Sequence, residues 1–194
     1  MNENILRIVA VFHGPKHEGI IGKVLALVAA NPPMTVDGMV KVAKLIDAIK
    51  AQGPYGQAFS SRMARALDAM SLLANALDID FETINDLGQH GSGDVVDGKV
   101  VAEAFLPGYE GEGCLAWHES AKRVLAKFHT EVKSGQTILV VSHRPIIGAL
   151  VDMASGASFN AERLLEVVLS SKLTAKGFVV FDFNKDTGVL TIVE

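Results

Sequence analysis

ILRIVAVFHG, residues 5–14, holds a β-prone and almost wholly apolar run that stops at His13-Gly14-Pro15. A run of this length without alternation fits a strand covered on both faces, as in a parallel sheet flanked by helices. Glycine and proline then force the chain out of the sheet, so His13 stands where a buried strand opens into a loop. The same pattern returns in GQTILVVSHRP, residues 135–145, where a second apolar strand gives way at Ser142-His143 to a turn and a new helix. Two histidines far apart in sequence are thus expected at the same edge of one sheet.

The intervening chain supplies helices and shorter strands. A helix over residues 18–30 is expected to end at Pro32 and Pro33. A second is expected over 36–51, with Thr35 as N-cap, Val40, Val42, Ala43, Ile46 and Ile49 on one face, and Gly53 beyond its end. A short strand at 57–60 leads through Ser60-Ser61-Arg62 into ARALDAMSLLANAL, residues 64–77, which is free of glycine and proline and reads as a packed helix. Residues 81–113 are glycine-rich with scattered acidic side chains, and short excursions over the top of the sheet are expected there. A helix follows over about 114–133, with Trp117 and Phe128 packing it onto the sheet. The C-terminal GFVVFDFNKDTGVLTIVE reads as two strands around a turn at 184–188. Strands alternating with helices predict an α/β fold, a three-layer α/β/α sandwich with a mostly parallel sheet and right-handed crossovers. One domain spanning 1–194 is expected, since 194 residues with 49% hydrophobic content suffice for one core.

Composition excludes several functions. Eighteen basic against 22 acidic residues leave a net charge of −4, so nothing draws nucleic acid or an anionic membrane to the chain as a whole. Any anion site must be a local concentration of positive groups. The single cysteine, Cys114, permits no internal disulfide and no cysteine-rich metal site, which fits a reducing compartment. With no apolar stretch near the length of a membrane span, and acidic Glu3 where an export signal would be basic, the cytoplasm is the expected location.

Ligands in such sheets bind beyond the carboxyl ends of strands. The strand at 57–60 delivers the start of the 64–77 helix, and with it Arg65, to the edge where His13 and His143 are expected. Two imidazoles, a guanidinium and a helix N-terminus form a receptor for a phosphoryl group, with an imidazole nitrogen available as nucleophile. Either histidine alone is better explained as a strand-end residue hydrogen-bonded to a loop, whereas for Arg65 a surface pair with Asp68 three residues on is the weaker alternative. Their joint occurrence favours the receptor.

Four segments occur in order: Phe12-His13-Gly14, Met34-Thr35-Val36-Asp37-Gly38, Ser60-Ser61-Arg62-Met63-Ala64-Arg65-Ala66, and Val140-Val141-Ser142-His143. As an ordered set they resemble the motifs of the histidine phosphatase, or phosphoglycerate mutase-like, superfamily over nearly the whole chain. The resemblance implies that His13 is a nucleophile that becomes transiently phosphorylated, with Arg65 and His143 holding the phosphate oxygens and no metal or other cofactor. It further implies an acid that protonates the leaving oxygen, for which Asp86 fits best and Glu82 is the alternative. Gly14 and Arg62 join the substrate-binding set.

The departure from the motif is Phe12, which stands where the superfamily places an arginine. Arg144, in a position where glycine is usual, and Lys16 in the first loop are the candidates to restore that charge, and Arg144 is the better placed because its backbone already sits at the edge of the expected pocket. The resemblance therefore supports a phosphatase acting on a small phosphorylated metabolite through a phosphohistidine intermediate. A relative that binds a phosphorylated ligand or partner without turnover is the alternative. Neither nucleic acid nor membrane is an expected partner, and a homodimer is left open. A flavodoxin-like or nucleotide-binding domain shares the order of elements, but no Gly-x-Gly-x-x-Gly or Walker-type loop follows the first strand.

Overall fold

The computed structural model describes residues 3–14, 33–88, 94–96, 99–101 and 110–193. Its centre is β1 (Ile5–Phe12), which pairs in parallel with β6 (Thr137–Ser142) on one side and antiparallel with β7 (Phe178–Asn184) on the other. The six-stranded sheet has the order β3-β2-β6-β1-β7-β8, where β2 is Tyr55–Ser60, β3 is Glu82–Thr83 and β8 is Val189–Ile192. The β1–β6, β6–β2 and β2–β3 pairings are parallel, and within this sheet β7 alone runs the other way, antiparallel to both β1 and β8. A separate two-stranded ribbon joins β4 (Asp94–Val96) to β5 (Lys99–Val101).

Why β1 is apolar on both sides follows from its surroundings. Leu6, Ile8, Ala10 and Phe12 enter one buried cluster, while Val9 and Val11 enter another on the opposite face. The first cluster is completed by α4 (Glu110–Glu131), α5 (Arg144–Ala154) and α6 (Ala161–Leu169), through residues such as Trp117, Phe128, Ile146 and Leu164. The second is completed by α1 (Val36–Ala43), α2 (Ile46–Lys50) and α3 (Ala64–Leu77), through Val42, Ile49, Met70 and Leu73. The sheet thus lies between two helical layers. Trp117 and Phe128 are fully buried as expected, with Phe128 stacked on Phe59 at 5.1 Å. Among the described residues no helix is long and apolar enough to cross a membrane.

Two expectations are corrected. The helix expected over 36–51 breaks between α1 and α2, because Leu45 N bonds Val42 O, three residues back, in a tighter step. That step lets the Leu45 side chain lie over Gly177, where an added Cβ would stand 2.5 Å from Leu45 Cδ1. Second, the region between α5 and β7, for which no element was expected, holds α6, capped by Asn160 on Arg163 N, and the short α7 (Ser171–Thr174). The helix expected over 18–30 lies outside the described residues. In the glycine-rich region, Ile84 and Leu87 are buried against the first cluster and so anchor its start to the core.

Candidate active site

Parallel pairing sets the site. Phe12 of β1 is in register with Ser142 of β6, so the next residue on each strand leaves the sheet beside its counterpart. The His13 and His143 rings meet with centroids 4.8 Å apart and planes inclined by 58°. His143 is fully buried as the residue preceding α5, whereas His13 is partly exposed.

His13 is oriented by two bonds. Its Nδ1 lies 2.6 Å from the Gly14 carbonyl, which can only accept, so Nδ1 carries the proton. Its Nε2 consequently holds a lone pair, and Arg65 Nε–H donates to it at 3.2 Å. Arg65 stands in the first turn of α3, is 2% exposed, and has its pKa drawn down to about 10 by burial. A guanidinium held at that cost in desolvation favours the arrival of an anion, which compensates its charge.

The loop after β1 is held by close backbone contact. A Cβ on Gly14 would stand 2.4 Å from Gly38 Cα, and Gly14 N donates to Met34 Sδ at 3.2 Å. Gly38 N in turn donates to the N-cap Thr35 Oγ1 at 3.0 Å. The Thr35-to-Gly38 segment therefore supports the floor under His13. Met34 N donates to Asp68 Oδ2 at 2.9 Å, which gives Asp68 a role other than pairing with Arg65.

Ser61, which lies in the Ser60-to-Ala66 segment but was not among the expected site residues, joins the candidates. Its buried Oγ sits 2.8 Å from His143 Nε2 and accepts from Met63 N at 3.1 Å, fixing the second imidazole to the start of α3. Ser142 Oγ donates to the Leu87 carbonyl at 2.8 Å and ties the end of β6 to the 3-10 turn Asn85–Leu87. Asp86 lies in that turn.

The remaining candidates are less tightly gathered. Asp86 is partly exposed and forms an ion pair with Arg123 of α4, whose Nε donates at 2.9 Å. Because the arginine is exposed, that pair opens at little cost. Glu82 and Arg62 are exposed. Arg144 Nη2 donates to the Ser170 carbonyl at 2.8 Å, and its Nε is buried with no partner among the described residues. Lys16 lies outside the described residues. Phe12 is 7% exposed and belongs to the first buried cluster. No group of three histidine, cysteine or acidic side chains suited to a metal ion occurs among the described residues.

Residues 25–175 match the family described as the histidine phosphatase superfamily (branch 1). The chain belongs to this superfamily. The matched range includes Arg65 and His143 and begins after His13. No curated protein matches the chain in sequence. Among solved structures, it is similar to the mycobacterial glucosyl-3-phosphoglycerate phosphatase at 14% identity, with a TM-score of 0.61 over 97% of each chain. It is also similar to the phosphoserine phosphatase of Entamoeba histolytica, at 15% identity and a TM-score of 0.63 over 97% of this chain and 95% of that one. For the phosphoglycerate mutase of Plasmodium falciparum the values are 12% and 0.58, over 98% and 90%. At these identities what is shared is the phosphoglycerate mutase-like fold.

Proposed function

We propose that the chain is a phosphoric monoester hydrolase acting on a small phosphorylated metabolite, with His13 Nε2 as nucleophile. The observation that carries this reading is the pair of bonds on His13: Nδ1–H donates to the Gly14 carbonyl and Nε2 accepts from Arg65. An imidazole held in that tautomer presents its lone pair on Nε2. An incoming phosphoryl group offers oxygens to which Arg65 Nε–H can turn, releasing Nε2 for attack.

In the first half-reaction Nε2 forms a bond to phosphorus while the bond to the leaving alcohol oxygen breaks. The leaving oxygen takes a proton from a carboxylic acid, assigned to Asp86 with Glu82 as the alternative. Positive charge on the phosphorylated imidazole is stabilised through Nδ1–H on the Gly14 carbonyl, and the equatorial oxygens face Arg65 and His143. In the second half-reaction water attacks phosphorus, its proton passes to the same carboxylate, and the N–P bond breaks to release orthophosphate. No metal or cofactor is required.

The test is hydrolysis of an aryl phosphate monoester, with the protein quenched in base to trap an acid-labile phosphoryl group. Turnover and trapped label are both expected to vanish in His13→Ala; turnover that persists in that variant refutes the assignment. The position of Phe12 favours a second reading, binding of a phosphorylated ligand without turnover, because the side chain preceding the nucleophile is apolar and packed in the core. Under that reading the wild-type protein binds vanadate and orthophosphate but hydrolyses nothing.

A further inference from the structure

Arg144 is the wrong residue for its own helix. It opens α5, where the helix dipole is positive and a cation is disfavoured. Its guanidinium instead reaches the Ser170 carbonyl, the C-cap of α6, where the dipole is negative and unpaired carbonyls need donors. The same carbonyl accepts from Leu173 N at 3.3 Å, so Arg144 binds the junction at which α6 turns into α7.

From that junction the chain runs through α7 to Gly177, whose carbonyl accepts from Phe12 N at 3.0 Å. Residues 170–177 therefore form a strap. One end is held by the residue that follows His143, the other by the residue that precedes His13. The strap has little freedom between these points: Leu45 lies over Gly177, and Gly148 of α5 leaves room only for Val168 of α6 and Leu173 of the strap, at 2.6 and 3.4 Å from where its Cβ would be.

We infer that Arg144 is a positioning residue, which acts through the 170–177 strap to set the spacing of His13 and His143. It is not assigned a contact with phosphate. This rests on the proposed phosphatase reading for its kinetic consequence, but not for its structural one. Loss of the Ser170 bond releases one end of the strap and lets the imidazoles drift from the distance at which attack and oxygen binding coincide. Misplacement of that kind lowers kcat and leaves ground-state affinity largely intact.

The experiment compares wild type with Arg144→Met, which keeps the apolar stem, and Arg144→Lys, which keeps a donor for the Ser170 carbonyl. With an aryl phosphate, Arg144→Met is expected to lower kcat about tenfold at nearly constant KM, and Arg144→Lys to recover most of it. Separately, nitrogen-15 spectra of the imidazoles are expected to show the His13 ring signals displaced in Arg144→Met and returned toward wild type in Arg144→Lys. A rise in KM at constant kcat overturns the inference and makes Arg144 a phosphate ligand, while unmoved His13 signals overturn it outright. If wild type shows no turnover, the phosphatase reading fails by itself, and the imidazole spectra still decide the role of Arg144.

Discussion

His13 and Arg65 meet through one hydrogen bond whose direction follows from chemistry alone: a guanidinium donates and never accepts, so the lone pair is on His13 Nε2. The environment that makes this bond useful is costly to the protein at rest, since Arg65 is almost fully buried and its pKa falls to about 10. For a base with a lowered folded-state value, the unfolded chain binds more protons in the alkaline window that opens near pH 10 and extends up to the ordinary guanidinium range. Stability contributed at this site is therefore withheld at neutral pH and regained only as pH rises through that alkaline window. An anion relieves the same cost without a pH change. Arg65→Met is accordingly expected to leave the melting temperature within a few degrees of wild type, while abolishing the rise that millimolar vanadate produces. Thermal scans with and without vanadate check both, and a vanadate-induced rise that survives the substitution would remove Arg65 from the anion site.

At this scale His13, Arg65 and His143 were legible because each lies at a junction marked by glycine, serine or proline, where a strand or helix must begin or end. The partner of Asp86 was not. Arg123 is distant in sequence and on the exposed side of a helix, and no local pattern connects an exposed ion pair. Ser61 was visible as part of a motif, but its bond to His143 depends on how β2 and β6 lie together.

Among the elements, the contact between the loop after β1 and the start of α1 has the least tolerance. Gly14 packs against the backbone of Gly38, and neither partner has a flexible side chain that could yield. Gly14→Ala therefore has to displace either the loop or the helix start, and with it the carbonyl that orients His13 Nδ1. The expected result is a fall in kcat of at least about tenfold on an aryl phosphate, with a lower denaturation midpoint. Wild-type kinetics in that variant would show that Gly38 does not support the loop that carries His13. The break between α1 and α2 belongs to the same scale. Apolar spacing over 36–51 satisfies one continuous helix, and what divides it is Leu45 seated on Gly177, which stands at φ +83° and presents no side chain. Helix α6 leaves a short mark in the sequence, since only two of its residues, Leu164 and Val168, are buried.

For the whole molecule, the site is a product of sheet order. β1 and β6 are far apart in sequence and lie side by side, with β2 completing the edge that carries Ser61 and Arg65. A ligand that bridges these segments should stabilise them together, by about 2.7 kcal/mol at a concentration one hundred times its dissociation constant. Vanadate is thus expected to slow hydrogen exchange simultaneously in residues 10–14, 61–66 and 141–146. Protection confined to one of the three would mean that they do not share a ligand.

The sequence by itself determined the elements whose patterning is local. Two apolar strands ending in histidine, the packed 64–77 helix and the terminal hairpin were readable because strand burial on both faces, helix periodicity and turn residues leave their mark within a few positions. The ordered motifs determined the superfamily. Only the tertiary structure decided the distance between the imidazoles, the tautomer of His13, the desolvation of Arg65 and the attachment of Arg144 to Ser170. Each depends on groups from separate segments meeting at hydrogen-bond or contact range, and the spacing along the chain does not encode those distances.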